Sequence, residues 1–513
     1  MYNETHQTAR VARALIMGMV ISVFFYGLAI IPQIHAQEAV IYLDSTQQVI
    51  RGFGAANILP WRPDMTVNDI DNAFGTEEGQ VGLTILRLRI PPNASSFGDN
   101  ISTAHDAHLL GVKIIAAPWS PPASMKTNNN LVGGELKTDS YAAYAAHLKA
   151  FADYMSSNGA PLYAISIQNE PDASVTYESC FWNATQMLNF MKNNAASIGI
   201  RVIMPESLNF NHSLSDPTLN DSAAAANVSI IGGHLYGGGL TSYPLAVSKG
   251  KELWMTEYLD TDTTWNKVLA TGKGISDCMN VGMSAYVWWY IVRFYGPISE
   301  DGFVTKRGYV MSQFARFVRP EYVRVATTYS PRSFVYITAY QGDSKLVIVA
   351  INTGSSSVEQ TFQIQNLTGG AAVFTPYVTS KTRDCQRAGD ISVSNDSFSA
   401  VLDASSITTF VADGISSTID HIPVPQTITL SQNYPNPFNP ITTISYSLVQ
   451  SDFVILKVYN TLGQEVRTLT DEFHTGGRYY INFNAEDLAS GVYFYQLQVG
   501  SNPVQTRKML LIR

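Results

Sequence analysis

One pattern recurs eight times between residues 50 and 295: an apolar run of strand length, a polar or Gly/Pro/Trp-rich loop, then a helical segment rich in Ala and Leu. The runs span 50–54, 83–90, 112–117, 162–167, 201–204, 230–234, 252–256 and 285–289. Between them, residues 140–155 carry apolar side chains at helical spacing, and 184–198 read the same way. Parallel strands need a crossover after each one. Eight such units in roughly 250 residues therefore predict a closed (β/α)8 TIM barrel of the α/β class.

Two of these runs lead into glutamates. Glu170 follows the fourth, in Gln168-Asn169-Glu170-Pro171, and Glu257 closes the seventh, in Met255-Thr256-Glu257. Barrels place their chemistry at the C-terminal strand ends, so both carboxyls are expected to face one cavity. That is the minimum equipment for cleaving a glycosidic bond. One carboxyl must stay protonated near neutral pH, which calls for an apolar setting or a negative neighbour, while the other must be ionised and hydrogen-bonded. The residues alone leave open which glutamate has which setting.

Other candidates surround the pair. The Asn169 amide is placed to bond a sugar hydroxyl beside the scissile bond. Arg87 or Arg89, in the second run, is a candidate to keep the nucleophile ionised. His234 is a candidate to bond the nucleophile or a hydroxyl, with a buried, satisfied histidine as the plainer alternative. Trp61, Trp119, Tyr236, Trp289 and Tyr295 lie at or after strand ends and are expected to offer sugar-stacking faces. Neither HExxH nor CxxC occurs, so no metal or cofactor is expected.

From about residue 320 the pattern changes to alternation, as in Phe334-Val335-Tyr336-Ile337-Thr338 and Lys345-Leu346-Val347-Ile348-Val349, which predicts a β-sandwich over 320–413. A strand within 37–49, containing Val40-Ile41-Tyr42-Leu43, is expected to join it and leaves 50–319 to the barrel. Residues 414–428 read as a linker, and 429–513 as a small Ig-like β-sandwich with glycine-bearing turns.

At the other end, Arg10 and Arg13 precede an apolar stretch from Ala14 to Ile31, and Ala36 offers a small residue for cleavage. Residues 1–36 are thus expected to be a signal peptide, with a membrane anchor as the alternative. Three cysteines at wide spacing permit at most one bridge, for which Cys180 with Cys278 is the better pair, and buried thiols are the alternative. A net charge of −8 argues against nucleic acid as partner, and 27 tyrosines suit neutral sugar rings. A monomer is expected.

Several motifs together are specific. The segment Ala117-Pro118-Trp119-Ser120-Pro121-Pro122-Ala123-Ser124-Met125-Lys126 resembles the loop after strand three of glycoside hydrolase family 30. Arg51-Gly52-Phe53-Gly54, Gln168-Asn169-Glu170-Pro171, Met255-Thr256-Glu257 and Trp288-Trp289-Tyr290 resemble that family's other motifs in the same order, over about residues 39–413. The resemblance implies a retaining mechanism through a covalent glycosyl-enzyme, with Glu170 as acid/base and Glu257 as nucleophile.

Within the family, Trp289-Tyr290-Ile291-Val292-Arg293-Phe294-Tyr295-Gly296 resembles the loop with which bacterial glucuronoxylanases clasp a glucuronic acid branch. This implies a carboxylate clamp at Arg293 with Tyr295, because a guanidinium fork matches a carboxylate in two parallel bonds. Pairing of Arg293 with Glu300 or Asp301 is the plainer alternative. Glucuronoxylanases also carry a Tyr and a Ser after the nucleophile; here Tyr258 and Thr261 are approximate substitutes, and Asp260 or Asp262 would repel a uronate if either faced it. The expected function is a secreted endo-β-1,4-xylanase acting on glucuronoxylan, with xylan as its partner. Alternatives are another β-glycosidase of the family, of glucanase or glucosylceramidase type, or a non-catalytic surface polysaccharide-binding protein.

The tail has its own resemblance. Asn433-Tyr434-Pro435-Asn436-Pro437-Phe438, Leu488-Ala489-Ser490-Gly491-Val492-Tyr493 and the basic end Arg507-Lys508-Met509-Leu510-Leu511-Ile512-Arg513 resemble the C-terminal sorting domain of the type IX secretion system. This implies that machinery as a partner and, after the periplasm, release or attachment at the cell surface. A carbohydrate-binding sandwich is the alternative, weakened because no Trp occurs after residue 412.

Overall fold

The computed structural model describes residues 38–367, 373–415, 428–433, 436–448, 452–474, 477–500 and 502–512. The expected signal peptide and most of the expected linker lie outside these residues. Among the described residues, no helix is long and apolar enough to cross a membrane.

After a first strand β1 (Ala39–Val49), eight strands close into a barrel in chain order. They are β2 (Gly52–Ala56), β3 (Ile85–Ile90), β4 (Lys113–Pro118), β5 (Leu162–Ser166), β6 (Val202–Ser207), β7 (Ile230–His234), β8 (Glu252–Glu257) and β9 (Met283–Tyr290). Each pairs parallel to the next, and β9 pairs parallel to β2. Helices such as Tyr141–Ser157 and Trp265–Asn280 make the crossovers and bury one face, as Tyr144, Leu148, Phe151 and Met155 do. Inside the barrel, Ile85, Ile115, Ile203, Ile230, Trp254 and Val287 fill one packed cluster.

Most strand limits shift by one to three residues from expectation, and two of the shifts have a local physical reason. The first barrel strand, β2, starts at Gly52: the Ile50 amide donates to the Tyr322 carbonyl outside the barrel, and the Arg51 amide donates to Ser284 of β9, where the ladder begins. Only glycine fits at Gly54, where a Cβ would lie 2.2 Å from the Ile85 carbonyl oxygen. The fifth barrel strand, β6, is expected from the sequence to end at Met204, before Pro205. It runs on to Ser207 through an irregularity in its register with β7, and that bulge holds Glu206 at φ +54°.

The side sheet contains β1 with β10 (Val323–Thr327), β11 (Val335–Gly342), β12 (Lys345–Asn352), β13 (Val358–Gln365) and β14 (Val373–Thr379), then two short strands β15 (Gln386–Arg387) and β16 (Ile391–Ser392), then β17 (Ser397–Leu402) and β18 (Ser406–Asp413). β1 is tied antiparallel to β10 and parallel to β13, so the segment ahead of the barrel does enter this sheet. The sheet folds over a shared core: Phe398 of β17 stacks 4.7 Å from Phe362 of β13, and also lies 4.6 Å from Phe374 of β14 and 5.5 Å from Phe410 of β18. Strands β13 and β17 end one side of the sheet order and β14 lies toward the other, so these contacts close a sandwich.

In the tail, β19 (Thr429–Leu430), β20 (Ile441–Leu448) and β23 (Gly477–Asn484) form one sheet. A second contains β21 (Asp452–Tyr459), β22 (Glu465–His474), β24 (Gly491–Val499) and β25 (Gln505–Leu511). Leu430, Ile444 and Phe483 from the first meet Leu456, Tyr495 and Met509 from the second in one core.

The candidate Cys180–Cys278 bridge does not form, and the alternative of buried thiols holds. All three cysteines are free and buried, Cys278 within the helix Trp265–Asn280 and Cys180 in the loop after β5. Burial pushes the Cys180 thiol up to about 12, so it stays protonated and packs as a small apolar group.

Candidate active site

A cavity of about 530 Å³ opens at the C-terminal ends of the barrel strands, lined by both Glu170 and Glu257. One oxygen of each carboxylate and a ring nitrogen of His234 lie within 4.8 Å of one another. Both glutamates are buried. Glu257 is the last residue of β8; Glu170 follows β5 in the left-handed region, at φ +45°. That backbone is held from both sides, since the Asn169 amide donates to the Pro118 carbonyl and the Glu170 amide to the Glu206 carbonyl.

Beneath the pair lies Arg87 of β3, fully buried. Its Nη1 donates to Glu257 Oε2 and its Nη2 to Asn169 Oδ1, both at 2.7 Å. Of the two arginines offered by the second run, only Arg87 meets the pair. Arg89 turns to Glu178, with bonds of 2.6 to 2.9 Å, and lies 5.5 Å from the Trp61 ring centre. The other Glu257 oxygen accepts from Tyr236 at 2.8 Å, so both of its oxygens face donors. Arginine can only donate, and burial raises the Tyr236 phenol well above its ordinary value, which keeps that proton in place. Hydrogen-bond geometry therefore suits an ionised Glu257.

His234 sits elsewhere than expected: its Nδ1 bonds Glu170 Oε1 at 2.9 Å, and its Nε2 is 4.0 Å from Glu257 Oε2. Its hydrogen bond thus goes to the first carboxylate, with the second facing its other ring nitrogen. Tyr177 approaches the other Glu170 oxygen at 3.3 Å. Burial lowers the His234 pKa, yet the charges of Glu257 and Glu170 outweigh it and leave it raised. Burial pushes the Glu170 carboxyl up, but the hydrogen bond and charge of His234 bring it below the usual carboxylate value. Burial also drives Glu257, and here it prevails over His234 and Arg87, so that carboxyl is raised.

With a protonated His234, the order of the two carboxyls is therefore the reverse of an acid and a nucleophile. The His234–Glu170 bond couples the two groups, because a proton on the imidazole or on the carboxyl is one proton in one hydrogen bond.

Glu170, His234 and Glu257 also offer three atoms spaced for a cation. The carboxylate oxygens and His234 Nδ1 are engaged in hydrogen bonds, His234 Nε2 has none among the described residues, and the Arg87 charge 2.7 Å from Glu257 opposes a cation.

The other expected residues divide into three groups. Trp61, Trp119, Tyr236 and Trp289 line the cavity, and Trp119 packs 5.4 Å from Trp61 and 5.7 Å from Trp289. Asn169 and His234 lie below it. Tyr258, Arg293 and Tyr295 are not in its lining: Tyr258 stacks behind Tyr236 at 5.7 Å, and Tyr295 packs edge-on to Phe294. Arg293 donates to Glu300 at 2.6 Å, and Arg62 bonds the same oxygen at 3.1 Å. Asp260 is 3.4 Å from Lys267, and Asp262 accepts from the Thr264 amide, so both have partners of their own.

Sequence reasoning missed Tyr177, Tyr290 and Glu206. Tyr177 and Tyr290 line the cavity, and Glu206 lies 3.5 Å from Arg87. Glu206 carries the signal that found the other two glutamates, an acid closing an apolar run, but Pro205 masked it. Lys126 has a structural task. It is buried and donates to Ser120 Oγ, Leu131 O and Ser179 O, which pins the loops after β4 and β5 together.

Comparison with known proteins agrees with this geometry. Residues 99–249 match the Glycosyl hydrolase family 30 TIM-barrel domain, and 432–512 match the Secretion system C-terminal sorting domain. The chain is 42% identical over 393 residues to Glucuronoxylanase XynC of Bacillus subtilis (strain 168), which covers 74% of this chain and 92% of that protein. The chain belongs to glycoside hydrolase family 30. Among solved family 30 structures, the subfamily 8 xylanase Xyn30A from Clostridium acetobutylicum superimposes with a TM-score of 0.70 at 44% identity, covering 74% of this chain and all of that one. A GH30 endoxylanase from Clostridium papyrosolvens C71 gives 0.68 at 42%, covering 73% and 100%. In this family 30 hydrolase the tail is a type IX sorting domain, which directs its carrier to the cell surface or the extracellular space.

Proposed function

We propose that this family 30 hydrolase is a secreted endo-β-1,4-xylanase that cleaves glucuronoxylan with retention, Glu170 serving as acid/base and Glu257 as nucleophile. The observation that carries the mechanism is the approach of the two carboxylates, with oxygens within 4.8 Å. Retaining enzymes hold the pair about 5 to 5.5 Å apart, whereas inverting ones leave roughly 6.5 to 9.5 Å for a water.

In the first step a Glu257 oxygen bonds to the anomeric carbon, the bond to the leaving oxygen breaks, and that oxygen takes the proton held by Glu170. In the second, Glu170 removes a proton from water, whose oxygen bonds to the anomeric carbon as the ester to Glu257 breaks. Asn169, fixed by Arg87, presents its amide to the sugar. The ring faces of Trp119, Trp289 and Tyr290 flank the groove and suit pyranose stacking.

Support for the branched substrate comes from the 42% identity to a glucuronoxylanase and from the charge beside the cleft. Arg62 and Arg293 share the single Glu300 carboxylate, which leaves a net positive charge suited to a uronate. The pairing of Arg293 with Glu300 also favours the second reading, a family 30 β-glycosidase that needs no clamp. Hydrolysis of glucuronoxylan and of xylan stripped of uronate separates them: one uronate per released oligomer and a slow rate on stripped xylan support the clamp, and equal rates remove it.

A further inference from the structure

The Arg87 guanidinium is fully buried and faces two carboxylates on different strands. Glu257 of β8 is hydrogen-bonded to it. Glu206 of β6 is equally buried, stands 3.5 Å away, and neither of its oxygens has a hydrogen bond among the described residues. A buried carboxylate with an ion-pair partner but no hydrogen bond is costly, so its setting calls for a reason. The fold makes room for it, since a Cβ on Gly232 would come within 3.3 Å of the Glu206 side chain, and it accepts a left-handed backbone there.

The double displacement supplies that reason. On the proposed reading, Glu257 gives up its negative charge on becoming an ester, while Glu170 gains one by losing its proton. Negative charge thus leaves the side of Arg87 during the first step. We propose that Glu206 is a positioning residue, the permanent counter-ion that keeps Arg87 paired, and Asn169 oriented, while Glu257 is esterified. Burial itself opposes the Arg87 charge, and the two carboxylates overcome it.

The test is Glu206→Gln in the full chain. Glu206 reaches Glu257 through Arg87, and the groups acting on Glu257 are Arg87 from β3, Glu170 and Tyr177 after β5, and His234 and Tyr236 at and after β7. Tyr290 and Tyr295, at and beyond the end of β9, also sense its charge. Losing the Glu206 charge leaves Arg87 to Glu257 alone and favours ionised Glu257, so the acidic limb of kcat/KM moves to lower pH by about half to one unit. Formation of the glycosyl-enzyme, followed by rapid quench and mass spectrometry with an aryl β-xylobioside, slows by about 10-fold or more, while its hydrolysis slows less. Glu206→Asp keeps the charge one methylene farther off and falls between wild type and Glu206→Gln.

A purely structural role would lower Tm and leave the acidic limb in place, which overturns the proposal. Should Glu206→Gln fail to fold, an unmoved acidic limb in Glu206→Asp overturns it equally. The proposal rests on Glu257 as nucleophile, and Glu257→Gln separates the two failures. Retained activity in Glu257→Gln sinks the mechanism itself; an inactive Glu257→Gln beside an unaffected Glu206→Gln sinks only the counter-ion.

Discussion

The imidazole Nδ1 of His234 and the Oε1 of Glu170 lie 2.9 Å apart, close enough to share the proton that the leaving sugar must receive. His234→Asn removes one of that proton's two sites. The alkaline limb of kcat/KM, sustained by the raised imidazole pKa, is then set by a carboxyl alone and moves to lower pH, narrowing the bell. A pH profile of the purified variant checks this, and an unmoved limb places the proton on Glu170 without help.

Glu170→Gln is expected to lower kcat on xylan by about 10²- to 10⁴-fold, the usual worth of a positioned acid. On an aryl xyloside with a good leaving group the loss in glycosylation is much smaller, because departure needs no proton. Parallel assays on the two substrates read the difference. Equal losses would contradict the acid role.

Arg293→Ala removes one of the two guanidiniums on Glu300. Its effect is expected on glucuronoxylan alone, a loss of about 10- to 100-fold in kcat/KM, as for a charged hydrogen bond of roughly 1.5–3 kcal/mol. Activity on uronate-free xylan stays near wild type, and the oligomer ladder loses its regular uronate spacing.

At the opposite end of the barrel, Glu252 accepts from Arg51, Arg201 and the Trp254 indole. Burial raises its carboxyl, but the Arg51 and Arg201 charges prevail and leave it below the ordinary value. A depressed folded-state pKa gives stability that is present above the unfolded value and lost as pH falls through the folded one. Glu252→Gln is therefore expected to cost about 1–3 kcal/mol at neutral pH and to flatten the stability profile on the acid side below about 4.3. Denaturant titrations from pH 3 to 7 measure it, with activity per folded molecule unchanged.

The chain alone determined the barrel and the two carboxyl positions, because both are matters of period. Strand-length apolar runs alternating with helical segments have one closed parallel arrangement, and a barrel gathers whatever ends its strands at one rim. Glu170 and Glu257 could thus be found without coordinates. The tertiary structure decided what each side chain meets. Arg87 and Arg89 are two residues apart on one strand and face the same way, yet one bonds Glu257 and the other Glu178, by their depth along the barrel axis. His234 chose Glu170 over Glu257, and Arg293 was taken by Glu300, because partners across a barrel or between loops are set by distances with no local period. Glu206 was hidden by Pro205, whose usual meaning is a strand's end; only the pairing with β7 shows that the strand continues through a bulge and turns a third acid toward the buried arginine.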